Sequence, residues 1–343
     1  MQRRMIMNAG EVLAIGWRGS YEDLCFTGHI LVVDSNGKIV YSAGDPEKIV
    51  FARSSAKLFQ AMVVLESGAS DYYGITNKEL SLICSSHSGE DYHVEAVREI
   101  LKKAGLDESY LQCGTHYPMY QPLADKMHRE GTEPIPAQEM CSGKHAGMLV
   151  TSKYLGDSLD DYYLPSHPHQ QRILKTISEM CDYPVEKIGL GIDGCGVPVH
   201  AMPMYHFALG FARMSRPEVL QEKRRKASER IVEAIQEYPL YISGTGRPDA
   251  RINALSRKNV FSKSGADGYY GLGIKDKGLG IAIKLDCGIG PVRDSVVVET
   301  LRQLGEIQDN ELENFIPETE MNVYNFKKEI VGQTHCCFKL KRV

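Results

Sequence analysis

Apolar and polar positions recur with different periods along this chain, and the changes of period mark its elements. Near the start, the run His29-Ile-Leu-Val-Val-Asp34 and the segment Lys38-Ile-Val-Tyr-Ser42 flank Ser35-Asn36-Gly37. Asn-Gly tolerates the positive φ of a tight turn, so the pattern predicts a β-hairpin. After Arg53-Ser54-Ser55-Ala56-Lys57, the apolar residues Leu58, Met62 and Leu65 are spaced as on one helix face, and Gly68 follows. This predicts an amphipathic helix with a glycine stop, carrying Ser54 and Lys57 on its first turn. Thr76-x-x-Glu79 is a capping-box pattern ahead of Leu80-Ser-Leu-Ile-Cys84, and a further helix is expected from about Tyr92 to Ala104, ended by Gly105. The polar loop Ser85-Ser-His-Ser-Gly89 lies between them. Helical patterns follow Cys141, Pro168 and Pro217, whereas Gly189-Leu-Gly-Ile-Asp-Gly-Cys-Gly196 reads as a short strand running into a glycine-rich turn. Later, Tyr269 to Ile274 and Leu279 to Leu285 bracket Lys275-Asp-Lys-Gly278 as a second hairpin, and Val292 to Leu304 reads as a helix stopped by Gly305.

Strands at both ends with helices between predict the α+β class. The expected sheet is mainly antiparallel, built from about 10–50 and 255–305, and flanked by helices with a helical part at about 54–240. No linker or internal repeat divides residues 1–343, which are therefore expected to form a single domain.

Composition removes whole classes of function. The chain is 43% hydrophobic and 24% charged, ordinary values for a globular protein. A formal net charge of −4 leaves no basic surplus to neutralise phosphates, so neither nucleic acid nor an anionic membrane is an expected partner. Residues Met1 to Asn8 start positive but lack the apolar core and small-residue cleavage site of a signal peptide, and no stretch approaches the ~20 apolar residues of a membrane span. A cytoplasmic location is expected. Nine scattered cysteines form no disulfide framework for a chain of this size.

Chemistry enters with three short motifs in order. Ser54 and Lys57 stand at i and i+3, one turn apart on one helical face, where an amine can reach a hydroxyl. Serine is a poor nucleophile until a base takes its proton, and lysine serves if burial or a neighbouring cation such as Arg53 or Lys263 lowers its pKa. Alone, Ser-x-x-Lys equally describes a serine cap before a solvated lysine. Ser86-His87-Ser88 and Lys263-Ser264-Gly265 strengthen it, because the order parallels Ser-x-x-Lys, Ser-Asp-Asn and Lys-Thr-Gly of the penicillin-recognising acyl-transfer enzymes. Ser88 stands where those enzymes have asparagine, which argues against a β-lactamase and leaves the serine-lysine logic. Two further motifs, Cys141-Ser-Gly-Lys-His-Ala-Gly-Met148 and Gly191-Ile-Asp-Gly-Cys-Gly196, present thiols on glycine-permitted turns. Two thiolates with Lys144 or His145 form a donor set for zinc; two buried thiols beside close-packed glycines are the alternative.

Taken together, Val50-Phe-Ala-Arg-Ser-Ser-Ala-Lys57, Cys84-Ser-Ser-His-Ser-Gly89, the two thiol motifs, Gly244-Thr-Gly-Arg247 and Lys263-Ser-Gly-Ala-Asp-Gly268 resemble the Rhizobium etli-type L-asparaginases, the asparaginase II family. The likeness runs from about Val12 to Leu285. One position departs, Ala52, where the pattern leads one to expect proline. The resemblance implies a β-lactamase-like or glutaminase-like fold, a homodimer, and hydrolysis of L-asparagine to aspartate and ammonia. It implies two serine-lysine pairs, Ser54 with Lys57 and Ser86 with Lys263. By the same carry-over Cys141, Lys144 and Cys195 are zinc ligands, and Asp193 and His145 lie close to the substrate. A guanidinium pairs readily with a carboxylate, so Arg53 is expected to meet one, of the substrate or of Asp193.

Two other readings compete. One is a glutaminase, whose substrate differs by one methylene, or another serine-lysine amidase; the other is a non-catalytic zinc-dependent amino-acid-binding protein, which would use the cysteine pair alone. The remaining motifs carry less. His167-Pro-His169 reads as a solvated loop and Cys336-Cys337 as incidental, while Gly271-Leu-Gly-Ile274 opens no helix, so no nucleotide cofactor is expected.

Overall fold

Two tight turns set the sheet. In the computed structural model, which describes residues 10–343 except Ser256, the first hairpin pairs Val33 with Ile39 across the Asn-Gly turn, and the second pairs Ile274 with Leu279. The reading of Met1 to Asn8 lies outside the described residues. Strands β1 (Glu11–Arg18), β2 (Tyr21–Asp34) and β3 (Ile39–Ala43) come first, followed by β4 (Ile49–Phe51), β5 (Gly189–Ile192) and β6 (Pro198–Pro203). Then come β7 (Val260–Ser264), β8 (Tyr269–Ile274) and β9 (Leu279–Leu285), and last β10 (Met321–Tyr324), β11 (Ile330–Cys336) and β12 (Lys341–Arg342). The main sheet is antiparallel, in the order β10-β11-β1-β2-β9-β8-β7, with β3 on β2 and β12 on β3.

The class is α+β, as expected. Two points differ from the sequence reading. The sheet also recruits residues 321–342, whose strands are short and mostly exposed and so lack a period that marks them. A second, three-stranded sheet, β4-β6-β5, forms between the serine and cysteine motifs.

Both faces of the main sheet are covered, which explains the unbroken apolar run in β2. Leu31 and Val33 face one core with Phe207, Phe211 and Ala282, while Ile30 and Val32 face another with Ile281, Val296 and Leu301. Successive side chains alternate faces, so a strand covered on both sides reads as continuously apolar. Gly271 sits where an added Cβ would meet the Phe211 ring at 2.2 Å, so the Gly-x-Gly of β8 serves packing.

The helix after the serine motif begins as a short 3-10 turn, Arg53–Ala56, continued by the α-helix Lys57–Glu66. The sequence predicts an amphipathic helix; instead every residue from Lys57 to Val64 is buried. The same holds for Ser142–Leu155, buried from Ser142 to Ser152. Helices apolar or sequestered all round are core helices, and here they carry the polar chemistry inside. Gly143 and Gly147, i and i+4 on that second helix, let it press against the Leu82–Ile83 backbone and side chain, where a Cβ would come within 2.4 and 2.7 Å. His167-Pro-His169 is also corrected: His167 caps the helix Pro168–Cys181, its Nδ1 accepting the His169 amide at 3.1 Å, and both rings are buried.

Candidate active site

Ser54 and Ser86 open onto one cavity of about 420 Å³, lined also by Arg247, Asp249, Ser264 and Arg293. The 3-10 turn delivers Ser54. The loop after the capped helix Asn77–Ile83 delivers Ser86, fixed by its amide donating to Ile242 O at 3.1 Å and by the His87 amide donating to Met140 O at 3.1 Å. Ala52, at the departure from the motif, has φ −68°, the value a proline ring imposes, so the turn is held without the ring.

Lys57 is buried at 2% exposure, and its Nζ donates to Ser86 Oγ at 3.0 Å, to Ser85 O and to Cys141 Sγ at 3.2 Å. The sequence pairs Lys57 with Ser54; the folded chain sets it against Ser86, and Ser54 Oγ has no hydrogen bond among the described residues. Lys263 is likewise not bonded to Ser86. Its Nζ, fully buried, lies 2.9 Å from Ser264 O and 3.4 Å from both Ser264 Oγ and Asp249 Oδ2. Burial pushes the Lys263 amine down to about 8, the Asp249 charge opposing it only in part. Asp249 remains below the ordinary carboxylate value despite burial, because Lys263 and hydrogen bonds from Ser264 and Tyr270 favour its charge.

Arg53 adopts φ +50°, a left-handed conformation that a non-glycine residue enters at a cost of order 1 kcal/mol. Its guanidinium is tied to Asp193 at 2.6 and 3.2 Å and to Asp267, so it bridges the serine turn to the cysteine loop. On the far side of Lys57 lie the thiols. Lys144 Nζ is 3.0 Å from Cys195 Sγ, and Cys141 Sγ accepts from Lys57 Nζ at 3.2 Å. The neighbouring Cys141 thiol, and then Lys144 and His145, hold the Cys195 thiol well below its ordinary value despite burial. The Cys195 neighbour and burial push the Cys141 thiol up, and Lys144 is held above the ordinary amine value despite burial because Cys195 lies beside it. His145 Nδ1 sits 2.7 Å from Tyr162 Oη, which accepts the Gln112 amide, and its Nε2 is buried without a hydrogen bond.

Among the described residues no group of three His, Cys, Asp or Glu side chains is arranged to hold a metal. Cys141, Lys144 and Cys195 bring two sulfurs and an amine together, a donor set that suits zinc once Cys141 and Lys144 release their protons.

Sequence reasoning passed over Asp249 and named Arg247 only as the end of a motif, with no role. Asp249 occupies the first turn of the helix Pro248–Asn253, where an acidic residue is ordinary helix-start chemistry. Only the fold turns it inward at 2% exposure. The signal available was its place two residues after Gly244-Thr-Gly-Arg247.

The description L-asparaginase II matches residues 14–336. The chain belongs to the L-asparaginase II family. Membership makes it a hydrolase acting on amides, with a small-molecule substrate. A comparison with curated proteins gave no match. Among solved structures, the chain is similar to native Mglu, at 12% identity and TM-score 0.43, covering 81% of this chain and 60% of that one. It is also similar to a β-lactamase from Mycobacterium bovis, at 12% identity and TM-score 0.41, covering 80% and 94%. A third likeness is to a Bacillus glutaminase, at 12% identity and TM-score 0.37, covering 81% and 91%. No helix among the described residues is long and apolar enough to cross a membrane.

Proposed function

We propose that this asparaginase II family member hydrolyses the side-chain amide of L-asparagine to L-aspartate and ammonia through a serine acyl-enzyme. The observation that carries the reading is the buried Lys57 amine at 3.0 Å from Ser86 Oγ, in a cavity that Ser54 also lines. Ser54 Oγ, free of competing hydrogen bonds, attacks the amide carbon, and its proton moves to Lys57 by way of Ser86. The tetrahedral adduct collapses as the amide nitrogen takes that proton and leaves as ammonia. Water then cleaves the ester, regenerating Ser54. Lys263, pushed down to about 8 by burial and bonded to Ser264 rather than Ser86, would serve as a further proton acceptor at the edge of the cavity.

Arg53 ties the Ser54 turn to Asp193, and the family resemblance would put Asp193 and His145 close to the substrate. Cys141, Lys144 and Cys195 would hold zinc, which would supply positive charge to orient the amino-acid head group. A homodimer in the cytoplasm belongs to the same proposal.

The test is ammonia release from L-asparagine and L-glutamine, side by side, for the wild type and Ser54→Ala. The expected result is release selective for asparagine, falling roughly 10³-fold or more in the variant. Near-normal turnover by Ser54→Ala removes the nucleophile assignment. Selectivity for glutamine makes the protein a glutaminase, and no release from either amide leaves the zinc-dependent binding reading.

A further inference from the structure

Two guanidinium groups line the serine cavity, those of Arg247 and Arg293, a third belongs to Arg53 next to Ser54 in the chain, and their partners differ. Arg53 is tied to Asp193 and Asp267. Arg293 donates to Asp294 and, at 2.7 Å, to Gly265 O. Arg247 lines the same cavity as Ser54 and Ser86, yet its side chain makes no hydrogen bond or ion pair among the described residues, and its Nε is buried without a partner. A buried donor without a partner carries a desolvation penalty, which a ligand oxygen entering the cavity would offset.

The backbone shows that the position is built. Gly244, at φ +123°, lies where an added Cβ would come within 1.8 Å of Ser88 Oγ. Thr245 donates to Glu90 through its amide at 2.9 Å and its hydroxyl at 2.8 Å. Arg247 follows, its amide donating to Gly244 O at 3.3 Å as it leads into the helix Pro248–Asn253. The Gly244-Thr-Gly segment is therefore clamped to the loop that carries Ser86, and it holds a free guanidinium at the edge of the serine cavity.

We propose that Arg247 binds the α-carboxylate of the substrate and so restricts the cavity to free amino acids carrying the amide on the side chain. A planar fork of N–H donors matches a carboxylate with two parallel hydrogen bonds, an arrangement lysine does not reproduce. Arg53 cannot do this without giving up Asp193 and Asp267, and Arg293 cannot without giving up Asp294. The inference rests on the amidohydrolase reading for its substrate, but its ligand chemistry is a carboxylate beside an amine in the serine cavity.

The experiment is calorimetric binding of L-aspartate, and of β-alanine as the same molecule without its α-carboxylate, to wild type, Arg247→Met and Arg247→Lys, with melting curves to confirm folding. Wild type should prefer aspartate, Arg247→Met should weaken aspartate binding about 10- to 100-fold while changing β-alanine by no more than a few-fold, and Arg247→Lys should recover part of the loss. Aspartate binding by Arg247→Met within two-fold of wild type overturns the proposal. So does equal weakening of both ligands, the mark of a merely structural arginine, and so does a wild type that binds no aspartate. Ammonia release measured in parallel separates the two readings. Arg247-dependent aspartate binding without amide hydrolysis sinks the amidohydrolase and keeps the clamp; robust hydrolysis with unchanged binding in Arg247→Met does the reverse.

Discussion

Asp249→Asn tests whether Lys263 acts as a base. The Lys263 amine is fully buried, and burial lowers its pKa from 10.5 to about 8 while Asp249, 3.4 Å away, pulls in the opposite direction. With an effective dielectric of about 20, two unit charges at that distance interact by about 5 kcal/mol, an upper limit; observed shifts from a single opposite charge run at about 1–3 pK units. Asparagine keeps the volume and can still accept from Tyr270, but it removes the anion. The neutral amine is the base, so activity rises as pH passes upward through the Lys263 pKa. Removing the anion favours that neutral form, and the rising limb of kcat/KM should move from about pH 8 to between about 5 and 7. The assay is ammonia release from L-asparagine between pH 5 and 10 for both proteins. A limb that stays near 8 or moves upward refutes the assignment. Stability gives a second reading. In the wild type the folded pKa of about 8 lies below 10.5, so between these values the unfolded chain binds the proton that the native chain has released. Stability should therefore rise with pH across that window, by up to about 3 kcal/mol, measurable by denaturant titration.

Two further outcomes follow from the geometry. Gly244→Ala forces a Cβ into Ser88 Oγ at 1.8 Å and a side chain onto a φ of +123°, so it should lose about 2–4 kcal/mol of stability in thermal melts together with activity; a variant that melts like wild type would show that the turn is not fixed as described. Verified removal of metal by a strong chelator should raise KM for asparagine several-fold with the fold retained, and an unchanged KM would count against a metal role for Cys141, Lys144 and Cys195.

The hairpins and capped helices were legible because their signals are local. Asn36-Gly37 turns the chain regardless of what packs upon it, and Thr76 with Glu79 forms the capping box its spacing predicts. The strands of residues 321–342 were not legible, since short, exposed strands acquire their identity from the neighbours they pair with, here β1 for β11 and β3 for β12. Amphipathicity misled at Lys57–Glu66 because the period of apolar residues cannot reveal that lysine and glutamine on the same helix are also buried.

By itself the sequence determined the family motifs, their order and the residue types needed for acyl transfer and thiol coordination. It also placed Ser54 and Lys57 one turn apart. Tertiary structure decided who touches whom. Residues 29 apart brought Lys57 to Ser86, 84 apart brought it to Cys141, and 140 apart brought Arg53 to Asp193. It also buried Asp249 beside Lys263 and left Arg247 without a partner. Hydrogen bonds and desolvation depend on distances through space, and those are set only once the two core helices and the sheet have packed.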